Sequence, residues 1–263
     1  MPTIHQLLSD NTRGATSIFR DSLQLFLSYP DETAVQQVIN EAKQLKNQFN
    51  SMGVFYNLWN TVQAVQEPTI LRNILNDLLS SIDENQQEIA RIGGNYLPAS
   101  GTVLTISNSI MVESTIRYAH DSGKDLKILC MRSAPAHEGE LFASILKKNG
   151  LAVEIIEDNS VHKRIKEAYV VLLGCDLLGE VFFINKRGSG SLAGYAERMN
   201  KPVWILGDTL RVVMDGDTTQ GSDPLFERVP YSSTMKIACE KGFLGYKELK
   251  DFILKYPFNL PIP

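Results

Sequence analysis

Between Arg13 and Arg91 the apolar residues return every three or four positions, the spacing of one face of an α-helix. Ile18, Leu23, Leu25 and Phe26 make one stripe. Val35, Val38, Ile39, Ala42 and Leu45 make a second, with Pro30-Asp31-Glu32 as the break between them. The same spacing predicts a third helix over Val54 to Val65 and a fourth over Thr69 to Ala90, with Pro68 suited to its first turn. Gly93-Gly94-Asn95-Tyr96-Leu97-Pro98 reads as the punctuation that closes this region. Residues 1–96 are therefore expected to form a helical domain, and 97–263 a second one.

After Pro98 the period changes. Short, continuous apolar runs at Val103 to Ile106, Leu126 to Met131, Ala152 to Ile156, Tyr169 to Gly174, Val181 to Ile184 and Pro202 to Leu206 read as strands. Amphipathic helices are expected between them, over Ile110 to Ser122, Gly139 to Asn149, Val161 to Ala168 and Ser191 to Met199. Strands without polar alternation need cover on both faces, which predicts an α/β fold: a Rossmann-like, mainly parallel sheet following the amino-terminal helical domain. Asp208 to Thr234 lacks periodicity and reads as a long connection, and Tyr246 to Lys255 as a terminal helix.

Composition narrows the functional classes. With 43% apolar and 21% charged residues in 263, the chain is ordinary for a soluble domain or pair of domains. No apolar run approaches membrane-spanning length, and Met1 to Asp10 has no secretory-signal pattern, so a cytoplasmic protein that makes no membrane contact is expected. The net charge of -4 is unevenly placed, residues 1–95 holding 6 Lys/Arg against 10 Asp/Glu. Neither half has the dense cationic face that direct nucleic-acid binding needs. Cys130, Cys175 and Cys239 are widely separated, as are histidines 5, 120, 137 and 162, so buried thiols and no metal site or cofactor are expected.

Candidate chemistry lies where the strands end. Loops leaving the carboxyl ends of parallel strands line one crevice, which would bring Ser107, Asn108 and Ser109 together with Asp176, Asn185, Lys186, Gly188 and Ser189. That set suits a phosphorylated polyol. Asp176, directly after an apolar strand, either serves as acid or base on a sugar hydroxyl or caps a turn and pairs with a base such as Lys186. Asn185 to Gly190 either cradles a phosphate at a helix start or is a flexible turn. Arg13-Gly14-Ala15 is expected to open the first long helix, capped by Asp10 or Asn11; an arginine there either meets an anion or faces solvent.

Taken in order, these motifs resemble a family comprising the alpha, beta and delta regulatory subunits of translation initiation factor 2B, methylthioribose-1-phosphate isomerase and ribose-1,5-bisphosphate isomerase. Arg13-Gly14-Ala15 is similar to the family's "RGA", Val103 to Ser109 to its "ILTH-x-N/S" strand and loop, and Ser133 to Gly139 to its "SRPxxEG". Gly174-Cys175-Asp176 resembles "GAD", and Asn185-Lys186-Arg187-Gly188-Ser189 resembles "NKxGT". The resemblance implies a sugar-phosphate pocket between the domains and a homodimer formed by the larger one. It also implies that Asp176 and a cysteine in the first loop move protons as an aldose phosphate becomes a ketose phosphate. That cysteine is Ser107 here, and a hydroxyl is a far weaker acid than a thiol. Further departures place Ala134 where the family has an arginine, Arg132 where an acid is usual, and Ser51-Met52-Gly53-Val54 where an arginine-containing turn stands.

The expectation is a protein that binds a phosphorylated sugar or nucleotide without efficient isomerisation. Arg13, Gly14, Ala15, Asn108, Asn185, Lys186, Gly188 and Ser189 would bind the ligand, with Ser107 and Asp176 at its hydroxyls. Two alternatives are an aldose-ketose isomerase acting on an aldose 1-phosphate through Asp176, and an interaction subunit with a vestigial pocket and a protein partner.

Overall fold

The structure, a computed structural model, describes residues 1–214, 224–245, 247–249 and 251. A short α1 (Ile4–Leu8) precedes α2 (Ala15–Leu27), α3 (Asp31–Gln48), α4 (Gly53–Val62) and the 29-residue α5 (Pro68–Tyr96). The stripes read from the sequence meet in one core, where Phe19 packs edge-on to Phe55 and Phe49 stacks on Phe55. Each such side chain, removed from water, contributes about 1.5–3 kcal/mol. α2 starts two residues after Arg13, with Gly14 as its N-cap and no side-chain cap, so neither Asp10 nor Asn11 caps it.

Gly93 and Gly94 lie inside α5 and do not end it. They are where α5 crosses α6 (Ile110–Asp121), which follows β1 (Ser100–Thr105). A Cβ on Gly93 would sit 2.9 Å from Thr115 Cγ2, and one on Gly94 2.5 Å from Tyr118 Cδ1, so glycine permits the close approach. α5 thus serves two cores: Leu71, Ile74, Leu75, Leu78 and Ile82 pack among the helices, and Ile89 packs with the sheet.

The chain continues through β2 (Asp125–Met131), α7 (Glu138–Lys148), β3 (Ala152–Ile156), α8 (Val161–Arg164), β4 (Val170–Gly174), β5 (Leu177–Leu178), β6 (Phe182–Lys186), α9 (Ser189–Arg198) and β7 (Val203–Leu206). β8 (Phe226–Pro230), β9 (Met235–Cys239) and β10 (Gly242–Gly245) follow. The main sheet has the order β10-β9-β7-β4-β1-β2-β3, parallel except for β10. Successive strand residues feed opposite faces: Val103 packs with α6 and α7, and Leu104 with the side that holds α9. β4 and β7 are buried throughout and show no polar alternation.

Three expectations change. The run at Val181 to Ile184 is β6, which lies in a separate antiparallel sheet of order β5-β6-β8. The connection from Asp208 to Thr234 contains a 3-10 turn at Thr209–Arg211 and the strand β8. The helix expected over Tyr246 to Lys255 falls for most of its length outside the described residues.

Candidate functional site

β1 pairs with β4 on one side and β2 on the other, and the chain order reverses between β1 and β4. The β1–β4 ladder ends at Thr105 opposite Leu172, and the loops carrying Ser107 and Asp176 follow it to the cavity at the switch point. The amino-terminal helices close over them with the start of α2 and with Phe49 and Met52. The cavity between them has a volume of about 460 Å³. Arg13, Gly14, Ala15, Ser107, Asn108, Asp176, Asn185 and Lys186 all line it, as do Glu113, Glu138 and Arg211. Gly188 and Ser189 do not.

Ser107 adopts a left-handed backbone, with φ 68°. Its N–H donates to Ser133 Oγ at 2.8 Å, and its hydroxyl donates to Glu138 Oε2 at 2.5 Å. The other oxygen of Glu138 accepts from Lys186 Nζ at 2.8 Å, and Lys186 is only 4% exposed. A hydroxyl, a carboxylate and an ammonium group therefore form one chain on the cavity wall. Asp176 is held by its backbone: its N–H donates to Ile184 C=O and its C=O accepts from Gly53 N–H, both at 2.8 Å.

The helix start at Gly188 already holds an anion from its own chain. Glu227 Oε1, on β8, accepts the N–H groups of Gly188 and Gly190 at 2.8 Å each. A carboxylate there satisfies the donors that a phosphate would use. Ser189, wholly buried, accepts from Asn185 Nδ2 at 2.9 Å and donates to Lys186 C=O at 2.7 Å. Gly188 and Ser189 thus support the wall from behind, and Ser189 fixes the amide of Asn185, which faces the cavity.

At the opposite end, Arg13 bridges two carboxylates, Asp10 through Nε and Asp21 through Nη1 at 2.7 Å. Asp10 also accepts the N–H groups of Thr12 and Arg13. Burial pushes its carboxyl up, but the Arg13 side chain and these N–H groups outweigh it and hold the group down at about 2. The first turn of α2 lies on the cavity, and a Cβ on Gly14 would meet no atom within 4 Å.

Sequence reading missed Arg211, which is 3% exposed. Burial works against its charge, but the Asp208 carboxylate beside it more than offsets this, and the guanidinium stays protonated. The rule that marks Asp176, a polar residue just past an apolar strand, also applies to Asp208 and Arg211 after β7. Cys175 provides no substitute for a thiol at 107. Its Sγ lies against Gly207, where a Cβ would be 2.1 Å away, and burial raises it far above the range of a reactive thiolate. Among the described residues, no group of three or more His, Cys, Asp or Glu could hold a metal ion, and no helix is long and apolar enough to cross a membrane.

A doubly wound sheet under a helical cap, with a polar cavity at the switch point, defines the class as a capped α/β protein. The chain belongs to the Initiation factor 2 subunit family, whose profile matches residues 14–225. It is 25% identical over 213 residues to the Pyrococcus abyssi protein named "Putative translation initiation factor eIF-2B subunit 2-like", covering 79% of this chain and 77% of that one. Over 126 residues it is 32% identical to the ribose 1,5-bisphosphate isomerase of Methanocaldococcus jannaschii, covering 48% of this chain and 41% of that protein. The fold matches the crystal structure of the Pyrococcus horikoshii OT3 translation initiation factor eIF-2B with a TM-score of 0.84 at 22% identity, over 92% of this chain and 94% of that one.

Proposed function

We propose that this protein binds a phosphorylated sugar or nucleotide in the cavity and does not isomerise it efficiently. The phosphate sits at the first turn of α2, against the N–H groups of Gly14 and Ala15 and the Arg13 guanidinium. Ser107, Asn108, Asp176 and Asn185 meet the hydroxyls, and Lys186 holds Glu138 in place. Gly188 and Ser189 act at one remove. The observation that carries the reading is the Ser107 hydroxyl donated to a carboxylate already paired with Lys186. A hydroxyl in the thiol's place is a poor proton carrier near neutral pH.

The charge around the cavity favours one phosphate over two. Arg13, Lys186 and Arg211 are each paired with carboxylates of the same chain, which leaves little cation for a second dianion. As in the family resemblance, the protein is proposed to act in the cytoplasm as a homodimer formed by residues 97–263, with a further protein partner open to it.

Calorimetric titration with ribose 1-phosphate, adenosine monophosphate, methylthioribose 1-phosphate and ribose 1,5-bisphosphate, alongside an assay for ketose formation, tests the reading. Binding without turnover, weaker for the bisphosphate, is expected. Turnover lost in Asp176→Asn would establish the isomerase instead, a reading that the position of Asp176 on the cavity wall favours. No binding to any of the four, together with a stable complex with another protein, would establish an interaction subunit.

A further inference from the structure

Arg211 stands on the cavity wall between the helical region and the sheet, within reach of both. Its Nε donates to the C=O of Cys175 at 3.0 Å, the residue before Asp176, and its Nη2 donates to Thr16 Oγ1 at 2.8 Å, in the first turn of α2. Nη1 pairs with Asp208. One planar, rigid fork therefore reaches the exit of β4, the start of α2 and the exit of β7 at once.

The turn that carries it is fixed independently of the guanidinium. Asn57 Nδ2, on α4, donates to the C=O of Leu210 at 2.7 Å and of Val212 at 2.9 Å. On its other side Thr209 N–H donates to Glu240 at 3.1 Å. Leu210 packs into the helical core and Val212 into the sheet core. The turn is a wedge driven between the two cores, with Arg211 directed at the cavity wall.

We propose that Arg211 is the positioning residue of this cavity: by tying Thr16 to Cys175 it sets the span between the phosphate end at α2 and the Asp176 end at β4, and so selects ligands by the distance between their phosphate and their hydroxyls. This rests on the phosphate-binding reading above. A ligand that touches one end only is indifferent to the span. One that touches both ends is not.

The test uses the full chain, Arg211→Lys and Thr16→Val, with inorganic phosphate and ribose 1-phosphate as probes and amide hydrogen exchange as a second measurement. Lysine keeps the charge beside Asp208 but cannot reach Cys175 and Thr16 together; valine keeps the shape of Thr16 and removes the hydroxyl that accepts from Arg211. Both variants are expected to weaken ribose 1-phosphate about tenfold, the scale of one lost hydrogen bond to a charged group, and to leave inorganic phosphate within about twofold. Exchange should quicken at residues 13–17 and 176–178 together, with β1 and β2 unchanged. Equal weakening of both probes, or unaltered exchange in those two segments, overturns the proposal. If the wild type binds neither probe, the phosphate reading and the span selection built on it both fall. The exchange pattern then still decides whether Arg211 ties the two segments together.

Discussion

Ser107 Oγ lies 2.5 Å from Glu138 Oε2 and donates its proton to it. The hydroxyl is thereby oriented by a carboxylate whose other oxygen accepts from Lys186 Nζ at 2.8 Å. A thiol in the same place would be a far stronger acid than the hydroxyl and a better carrier of a proton to and from a ligand. Ser107→Cys is therefore expected to gain ketose formation from an aldose 1-phosphate at least about 100-fold above wild type. The double variant with Asp176→Asn should lose it. A Ser107→Cys protein that binds and stays silent would mean that Asp176 does not reach the ligand.

Glu227 supplies the second prediction. It accepts two N–H groups at the start of α9, so its removal leaves two donors near the helix dipole without their carboxylate. Glu227→Ala is expected to cost about 1–3 kcal/mol in urea denaturation. Added phosphate should recover part of that loss, more than chloride at the same ionic strength, because the vacated helix start is an anion site. Equal effects of the two salts would show general screening instead.

Much of this fold is legible in the sequence because its strongest signals are local. Val103-Leu104-Thr105-Ile106 and Val170-Val171-Leu172-Leu173 sit in the middle of the sheet, and their unbroken apolar character follows from burial on both faces. β8 and β10 are short, half-exposed strands whose pairing depends on distant partners, so Phe226–Pro230 and Gly242–Gly245 carry little period of their own. Gly93-Gly94 reads as a stop because glycine breaks helices in isolation; here the crossing with α6 overrides that preference. The strand-exit rule accounts for Ser107 and Asp176, whereas Asn185 and Lys186 reach the cavity from β6 in the antiparallel sheet. It cannot reveal that Glu227, 37 residues from Gly190, already fills the helix start. Nor can it show Arg211 joining residues 16 and 175.

Acid should weaken the protein partly through Asp10. Its carboxyl, ordinarily near 3.8, is held at about 2, since Arg13 and the Thr12 and Arg13 N–H groups outweigh the upward push of burial. A group with a depressed folded pKa contributes stability that is complete above its unfolded value and is lost as pH falls towards the folded one. The window is therefore about pH 4 down to 2. Asp10→Asn is expected to flatten the pH dependence of the denaturation midpoint in that window and to lower stability at pH 7. Glu154, also held at about 2 by Arg164 and Lys127, should leave a residual slope.

Gly53→Ala probes the wedge between the cores. A Cβ there would lie 2.3 Å from the Arg211 carbonyl oxygen and 2.8 Å from its carbon, both backbone atoms that cannot swing away. The cost is expected at about 1–3 kcal/mol, as for other overpacked sites. Because Gly53 N–H also donates to Asp176 C=O, ligand affinity should fall in the same variant. Unchanged affinity with reduced stability would separate the wedge from the cavity.

The long α5 gives the molecule an indivisible character. Its first half lines the interior of the cap and its last turns lie against the sheet, so neither interior is sealed without the same stretch of backbone. Cutting the chain near residue 96 would divide its sequence but strip the sheet of one wall. Heating should accordingly produce a single cooperative melt, with the cavity surviving intact until both interiors are lost together.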